Sequence, residues 1–299
     1  MGVLTGRVAI VTGAGRGLGR AHALLLASEG ASVVVNDAGV DVDGAVGGGA
    51  PPADAVVAEI VAAGGRAVAD HEDVADWEGG ERLVAHALEA FGDLHVLVNN
   101  AGILRDRALV NMTEQDWDAV MQVHLKGHFV PTRFAAARWR AKAREEGAVQ
   151  AAVINTTSTS GLQGNPGQAH YGTAKAGIAA FTLILAQELG RYGVRVNAIS
   201  PAARTRMTET LPSLAQLLEP PKDATAFDAW DPANVSPLVA YLATADCPIT
   251  GEVFQVQGGW VQRFVPWSLG ESIDKPGRWS IGELASALPA LVASATVTR

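Results

Sequence analysis

Arg7-Val8-Ala9-Ile10-Val11-Thr12-Gly13-Ala14-Gly15-Arg16-Gly17-Leu18-Gly19 carries an apolar, β-branched run straight into a glycine-rich turn, and Arg20 to Ser28 continues with helical spacing. The apolar run reads as a buried parallel strand. Glycines at a strand-to-helix turn let the backbone approach a pyrophosphate, while the helix N-terminus supplies N–H donors and positive potential. The turn does not follow G-x-G-x-x-G; it reads T-G-x-x-x-G-x-G over 12–19. A second strand, Ser32 to Asn36, ends at Asp37, 18 residues beyond Gly19. An acid at about that distance suits an adenosine ribose.

Outward from this unit, strands and helices keep alternating, which implies a parallel sheet covered on both faces. Ala38 to Ala53 is a Gly-, Asp- and Pro-rich insertion, expected to be flexible and to lie beside the cofactor site. Helix 52–63, strand 66–69, helix 76–91, strand 95–99 and a long helix from Thr113 follow, with Glu114 and Asp116 suiting Thr113 as an N-cap. Arg138 to Glu146 reads as a solvated helix extension. Strands 151–155 and 194–199, helix 171–189 and a seventh strand, 253–257, complete the pattern at Gly258-Gly259. The expectation is one α/β domain, a doubly wound parallel sheet of about seven strands, spanning 1–262. Residues 263–299 form a C-terminal extension in which Ile281 to Val292 has helical spacing. With Trp260, Trp267 and Trp279 in this region, the extension is expected to pack on the core or on a partner subunit.

Tyr171-Gly172-Thr173-Ala174-Lys175 places a phenol and an ammonium on one helical face, with Ser158 thirteen residues upstream. A free tyrosine, with a pKa of about 10, is a poor base at neutral pH. A fixed cation nearby favours the phenolate and lowers that value, which predicts a usable acid/base for a hydroxyl or carbonyl.

Together, T-G-x-x-x-G-x-G at 12–19, Asn99-Asn100-Ala101-Gly102 after strand 96–98, Ser158 and Tyr171-x-x-x-Lys175 resemble the short-chain dehydrogenase/reductases. The match runs in order from about residue 5 to Gly259. The resemblance implies a Rossmann-type fold and reversible hydride transfer between a secondary alcohol and NAD, with the nicotinamide carrying the hydride. It implies that Ser158 binds the substrate oxygen, that Tyr171 exchanges its proton, and that Lys175 lowers the Tyr171 pKa and binds nicotinamide ribose. It further implies a cofactor cleft lined by Gly13, Arg16, Gly17, Leu18, Gly19, Asp37, Asp73, Val74, Asn99, Ala101, Gly102, Pro201 and Thr205, beside Tyr171 and Lys175. An Arg at position 16 accompanies NADP in some relatives, whereas Asp37 followed by Ala38-Gly39-Val40 points to NAD. Dimers or tetramers are usual in the family, so a homo-oligomer is expected.

Two features depart from the family pattern. His124, in Val123-His124-Leu125, stands where many members carry an Asn that holds a water in the proton relay, and a neutral imidazole can also hold a water or pass a proton. Ala202 stands where a Gly is frequent, and the stretch to Met207 is one residue short. With Val33 to Gly39, the insertion, Ile103 to Arg107 and Arg206-Met207-Thr208, the Val-His-Leu run resembles the (3R)-hydroxyacyl-CoA dehydrogenase unit of multifunctional β-oxidation enzymes. An acyl-CoA substrate would then meet Arg105, Arg107, Arg204 and Arg206; alternatively, Arg105 pairs with Asp106 or Glu114 and Arg206 is simply exposed. Other substrates left open are steroid-like and alicyclic alcohols, and a non-catalytic nucleotide-binding relative is a further alternative.

Composition narrows the classes. Over 299 residues the net charge is −8, which argues against a general nucleic-acid surface. Cys247 is the single cysteine, so no internal disulfide forms and a reducing compartment is expected. No apolar run approaches a membrane span, no secretory leader is evident, and the terminal Val297-Thr298-Arg299 is not a peroxisomal address. The expectation is a cytoplasmic protein with no membrane, nucleic-acid or metal partner.

Overall fold

A computed structural model describes residues 2–45, 51–209, 217–223 and 225–294. They divide into two compact units, Met1–Phe264 and Val265–Arg299. The first begins β1 (Val8–Thr12), α1 (Gly17–Ser28), β2 (Ser32–Asn36), α2 (Pro52–Ala62), β3 (Arg66–Asp70) and α3 (Trp77–Phe91). Next come β4 (Val96–Asn99), α4 (Glu114–Val120), a π-helical turn (Met121–Lys126) and α5 (Gly127–Glu146). They are followed by β5 (Ala151–Thr156), the single turn α6 (Thr159–Leu162), α7 (Ala169–Leu189) and β6 (Val194–Pro201). The last elements of the parallel region are α8 (Arg206–Glu209), α9 (Ser236–Ala243) and β7 (Val253–Gln257). Thr113 caps α4 as its sequence suggests, through a reciprocal pair of bonds with Asp116.

The sheet order is β3-β2-β1-β4-β5-β6-β7, all parallel, with one further strand than the seven expected. That strand, β8 (Trp260–Arg263), pairs antiparallel with β7 in the register Gln257↔Trp260. Gly258-Gly259 is therefore a two-residue hairpin turn and not a terminus. Gly258 adopts φ +52°, which a residue without Cβ takes without steric cost. Side chains alternate across the sheet. Ala9, Val11, Val33, Val35, Val96, Val98, Ala152 and Ile154 enter one core layer. Val8, Ile10, Val34, Leu97 and Val153 enter the other, against Leu83, Trp139 and Leu185. Trp139 is wholly buried and satisfies its indole N–H on the Leu94 carbonyl at 2.7 Å.

Because β1 lies between β2 and β4, the winding reverses there and a crevice opens at the carboxyl ends of the strands. The described part of the insertion borders this edge: the Leu104 N–H donates to the Val42 carbonyl (2.8 Å) and Arg105 Nε to the Asp43 carbonyl (2.7 Å). Residues 46–50 of the insertion lie outside the described residues. In the second unit, α10 (Ile281–Ser294) forms where helical spacing was read, and the Lys275 ammonium sits 5.3 Å over the Trp279 ring. Trp267 is 94% exposed, unlike the burial its size suggests. Among the described residues, no helix is long and apolar enough to cross a membrane.

The interior also holds neutral imidazoles. His22 on α1 meets the Ser236 hydroxyl at 2.8 Å, and His128 on α5 accepts from the Thr156 N–H at 3.3 Å. Burial pushes both down to about 3, with the Lys175 charge adding to the effect at His128. Between that value and the ordinary imidazole value the unfolded chain binds protons that the native chain does not, so stability falls as pH drops through this window. Each imidazole contributes at most about 1.4 kcal/mol per pH unit. Thermal unfolding followed from pH 6.5 downward should show a falling Tm, and His22→Gln should reduce the proton uptake on unfolding by about one.

Candidate active site

The glycine turn leaves no room for side chains where strand meets helix. A Cβ on Gly13 (φ +61°) would lie 2.8 Å from the Ala101 Cα, and one on Gly19 would lie 2.2 Å from the Gly13 carbonyl oxygen. The loop after β4 locks this turn. Asn100 Nδ2 donates to the Thr12 and Gly13 carbonyls (3.0 and 3.1 Å), and Thr12 Oγ1 accepts from the Asn100 and Ala101 N–H groups (3.0 and 3.1 Å). At the start of α1, Arg16 makes no side-chain cap bond and the first turn holds no acid. Its orphan N–H groups and positive dipole end therefore stay available to an anion. Gly17 is exposed and Leu18 half-buried at this edge.

Asp37 stands at the tip of β2. Its carboxylate is held by the Gly15 N–H on one oxygen and the Gly39 N–H on the other, both at 2.9 Å. Asp73 accepts from the Ala75 N–H (2.8 Å) and Val74 is buried. Pro201 ends β6, and the following loop brings the Thr205 methyl within 3.5 Å of the position a Gly17 Cβ would take. This set of N–H donors, with a carboxylate fixed at the neighbouring strand end, fits a dinucleotide: pyrophosphate at the turn, ribose hydroxyls at Asp37. Asn99 is the exception among the expected lining residues. It is wholly buried, and its Nδ2 donates to Asn155 Oδ1 and Thr132 Oγ1, both at 2.9 Å, so its side chain ties β4 to β5 and α5 instead of facing the cleft.

Ser158, Tyr171 and Lys175 converge beyond the end of β5. The Ser158 side chain caps α6 by accepting from the Ser160 N–H at 3.2 Å and hydrogen-bonds the Tyr171 phenol. Lys175 is buried, with Nζ donating to the Thr156 carbonyl at 2.7 Å and lying 5.5 Å from the Tyr171 ring centre. The expected electrostatics are not what this geometry produces. Burial pushes the phenol up to about 12 against the opposing pull of the Ser158 hydrogen bond, although part of the side chain stays open to solvent. Burial likewise brings the Lys175 ammonium down to about 7. The helical spacing holds, but desolvation is the largest influence on each group and disfavours its charged form.

His124 lies in the π-helical turn, buried, with its ring edge-on to Tyr171 at 5.1 Å between centres. Nε2 lies against the Ile103 main chain, 2.7 Å from its carbonyl oxygen and 3.2 Å from its amide nitrogen. Nδ1 is buried with no protein partner among the described residues. Burial, reinforced by the Lys175 charge, holds this imidazole well below its ordinary value. Gly102 is required here, since a Cβ on it would lie 2.4 Å from His124 Cε1.

All four candidate arginines have carboxylate partners other than those weighed from sequence. Arg105 and Arg107 lie 4.0 and 3.6 Å from Asp116, whereas Asp106 accepts from Gln168 Nε2 at 2.8 Å. Arg206 meets Asp41 of the insertion at 3.4 Å. Arg204 is bound to Asp228 and to the Leu218 carbonyl (2.9 Å), a structural role that removes it from the substrate surface. The motif reading passed over Asn100, Thr12, Gln168 and His170 as individual groups. Asn100 had a local signal in its motif; the others acquire partners only through the tertiary fold. Among the described residues, no group of His, Cys, Asp or Glu is placed to hold a metal ion.

Residues 7–215 match the family model described as short chain dehydrogenase. The chain is 44% identical over 289 residues to the hydroxyacyl-CoA dehydrogenase ChsB1 of Mycobacterium tuberculosis, covering 95% of this chain and 88% of that one. It is 44% identical over 256 residues to the peroxisomal multifunctional enzyme type 2 of Mus musculus, covering 86% of this chain and 32% of that larger protein. The crystal structure of a short chain dehydrogenase from Mycobacterium avium superposes with a TM-score of 0.87 at 52% identity, covering 98% of this chain and 96% of that one. The chain belongs to the short-chain dehydrogenases, oxidoreductases that act on CH–OH groups.

Proposed function

We propose that the protein is an NAD(H)-dependent dehydrogenase that interconverts a 3-hydroxyacyl-CoA and the matching 3-ketoacyl-CoA, with Tyr171 as acid/base. The observation that carries this reading is the convergence of Ser158, Tyr171 and Lys175 at the edge of the sheet that also presents the glycine turn and Asp37. Bound nicotinamide supplies hydride exchange with the substrate carbon. Ser158 Oγ keeps its own proton to donate to the substrate oxygen while accepting from the Ser160 N–H. A phenol held up to about 12 stays protonated at neutral pH and serves as the proton donor in reduction. In the reverse direction it must accept a proton, and a protonated Lys175 in the same pocket then favours the phenolate. His124 walls the Tyr171 ring, and its buried Nδ1 has no protein partner among the described residues.

The substrate assignment rests on the hydroxyacyl-CoA dehydrogenase activity of a relative and on cations near the crevice. Arg107 and Arg206 are exposed and their ion pairs are solvent-screened, so a phosphate can compete for either guanidinium. A homo-oligomer is supported by the apolar surface around Trp77, Phe129 and Ile184, each more than a third exposed. A cytoplasmic location accords with the lone buried Cys247. A non-catalytic nucleotide-binding relative would need neither Tyr171 nor Lys175 in these positions.

Four outcomes test this reading. Wild-type protein should bind NADH more tightly than NADPH, because the Asp37 carboxylate repels a 2′-phosphate. Asp37→Ala should narrow the ratio, measured by nucleotide fluorescence titration, and a wild-type preference for NADPH overturns the assignment. Tyr171→Phe should lower turnover by about 10² or more while nucleotide still binds. His124→Asn should cost less than about tenfold, since the ring mainly packs; a loss as deep as that of Tyr171→Phe in folded protein would make His124 a relay member. Finally, a 3-ketoacyl-CoA should be reduced with much higher kcat/KM than the free acid, and the advantage should shrink as salt screens charges beyond about 10 Å at 0.1 M. Equal activity on the free acid or an uncharged ring ketone would favour a steroid-like or alicyclic substrate.

A further inference from the structure

His170 precedes Tyr171 at the start of α7 and is fully buried, yet the chemistry above does not use it. Both ends of its ring are engaged. The Tyr171 backbone N–H donates to Nδ1 at 2.8 Å, and Nε2 lies 2.8 Å from the Arg105 carbonyl oxygen. An amide N–H only donates and a carbonyl only accepts, so the pair of contacts assigns the ring proton to Nε2 and the lone pair to Nδ1.

Each contact answers a need of the fold. The N-cap of α7, Gln168, makes no side-chain cap bond, so the first-turn N–H groups require other acceptors. His170 provides one for Tyr171 itself. Its other end grips the loop after β4, which is stitched to the same helix start nearby: Gln168 Nε2 donates to Asp106 Oδ2 (2.8 Å) and the Arg107 N–H donates to the Gly167 carbonyl (2.9 Å). Two residues earlier in that loop, the Ile103 carbonyl is held by His124, whose ring packs edge-on against the Tyr171 ring. Tyr171 is thus referred twice to one loop, through its backbone by His170 and through its ring by His124.

We propose that His170 is a positioning residue for Tyr171: by bonding the Tyr171 amide and the Arg105 carbonyl at once, it sets the phenol relative to the loop after β4. This deepens the acid/base reading of Tyr171 and rests on it. A histidine that only fills space would be replaceable by an apolar ring of similar size. A histidine that sets register would not be, because both bonds would be lost and a shift of about 1 Å at a reacting group costs about 10²-fold in rate.

The test compares His170→Phe, His170→Gln, Tyr171→Phe and the double variant His170→Phe/Tyr171→Phe in the intact chain, using a 3-ketoacyl-CoA and NADH. Thermal melts, NADH titration, kcat and KM are read for each. His170→Phe should stay folded and bind NADH as wild type does, with kcat reduced by about ten- to a hundredfold and KM changed little. His170→Gln, whose amide can both accept and donate, should recover most of the loss. The double variant should be no slower than Tyr171→Phe alone, because positioning a residue without its hydroxyl has no value. Wild-type kcat in His170→Phe, or losses that multiply in the double variant, would overturn the proposal. Should His170→Phe not fold, His170→Gln carries the comparison: near-wild-type kcat supports the proposal, and a kcat as low as that of Tyr171→Phe overturns it. If Tyr171→Phe itself keeps full turnover, the acid/base reading fails; if only His170→Phe keeps it, that reading stands and the positioning role alone is lost.

Discussion

The rest of the site depends on how closely β1 approaches α1. At Gly19 the helix backbone lies so near the Gly13 carbonyl that a single methyl would sit 2.2 Å from it. This contact aims the helix N-terminus at the crevice where the winding of the sheet reverses, and the uncapped first turn leaves its donors available there. Thr12 and Asn100 secure the turn from β4, so the first and fourth strands end at a common edge. Asp37 lies on one side of that edge, and the loop that leads to Ile103 and Arg105 lies on the other.

On the chemical side, desolvation governs. Tyr171, Lys175, His124 and His128 are packed together, and burial is the largest influence on each, always against the charged form. Burial therefore disfavours charge across this group, and main-chain carbonyls hold its ends: Thr156 for Lys175 and Ile103 for His124. Such bonds orient side chains without requiring a buried counter-charge, whose desolvation is expensive.

The arginines obey the opposite regime. Arg107 and Arg206 sit in solvent, where ion pairs with Asp116 and Asp41 are weak and exchangeable. Arg206 and Asp41 also bring the insertion and the loop after β6 together at the crevice edge. Arg204, half-withdrawn from solvent and bound to Asp228, is fixed as part of the scaffold. One residue type thus serves two purposes in a stretch of three residues, and the difference lies in exposure and in whether a carboxylate returns from a distant part of the chain.

The sequence by itself determined the parallel α/β architecture, the glycine turn, the Asp37 position and the Tyr171–Lys175 pair. Each of these is written in local spacing: β-branched runs, glycines where backbone meets backbone, and side chains four apart on a helix. It stopped one strand short, because a hairpin at Gly258-Gly259 is visible only once β7 offers an edge for Trp260–Arg263 to pair with. The tertiary structure alone decided which motif asparagine faces inward, which arginines are available, and that burial raises the tyrosine where the sequence led one to expect the lysine to lower it. These depend on desolvation and on partners far apart in sequence, such as Asp116, Asp228 and the Ile103 and Arg105 carbonyls, and neither quantity has a local signature. His170 shows the limit plainly: in the chain it is an unremarked neighbour of Tyr171, and only the return of the loop after β4 supplies the carbonyl that gives its ring an orientation.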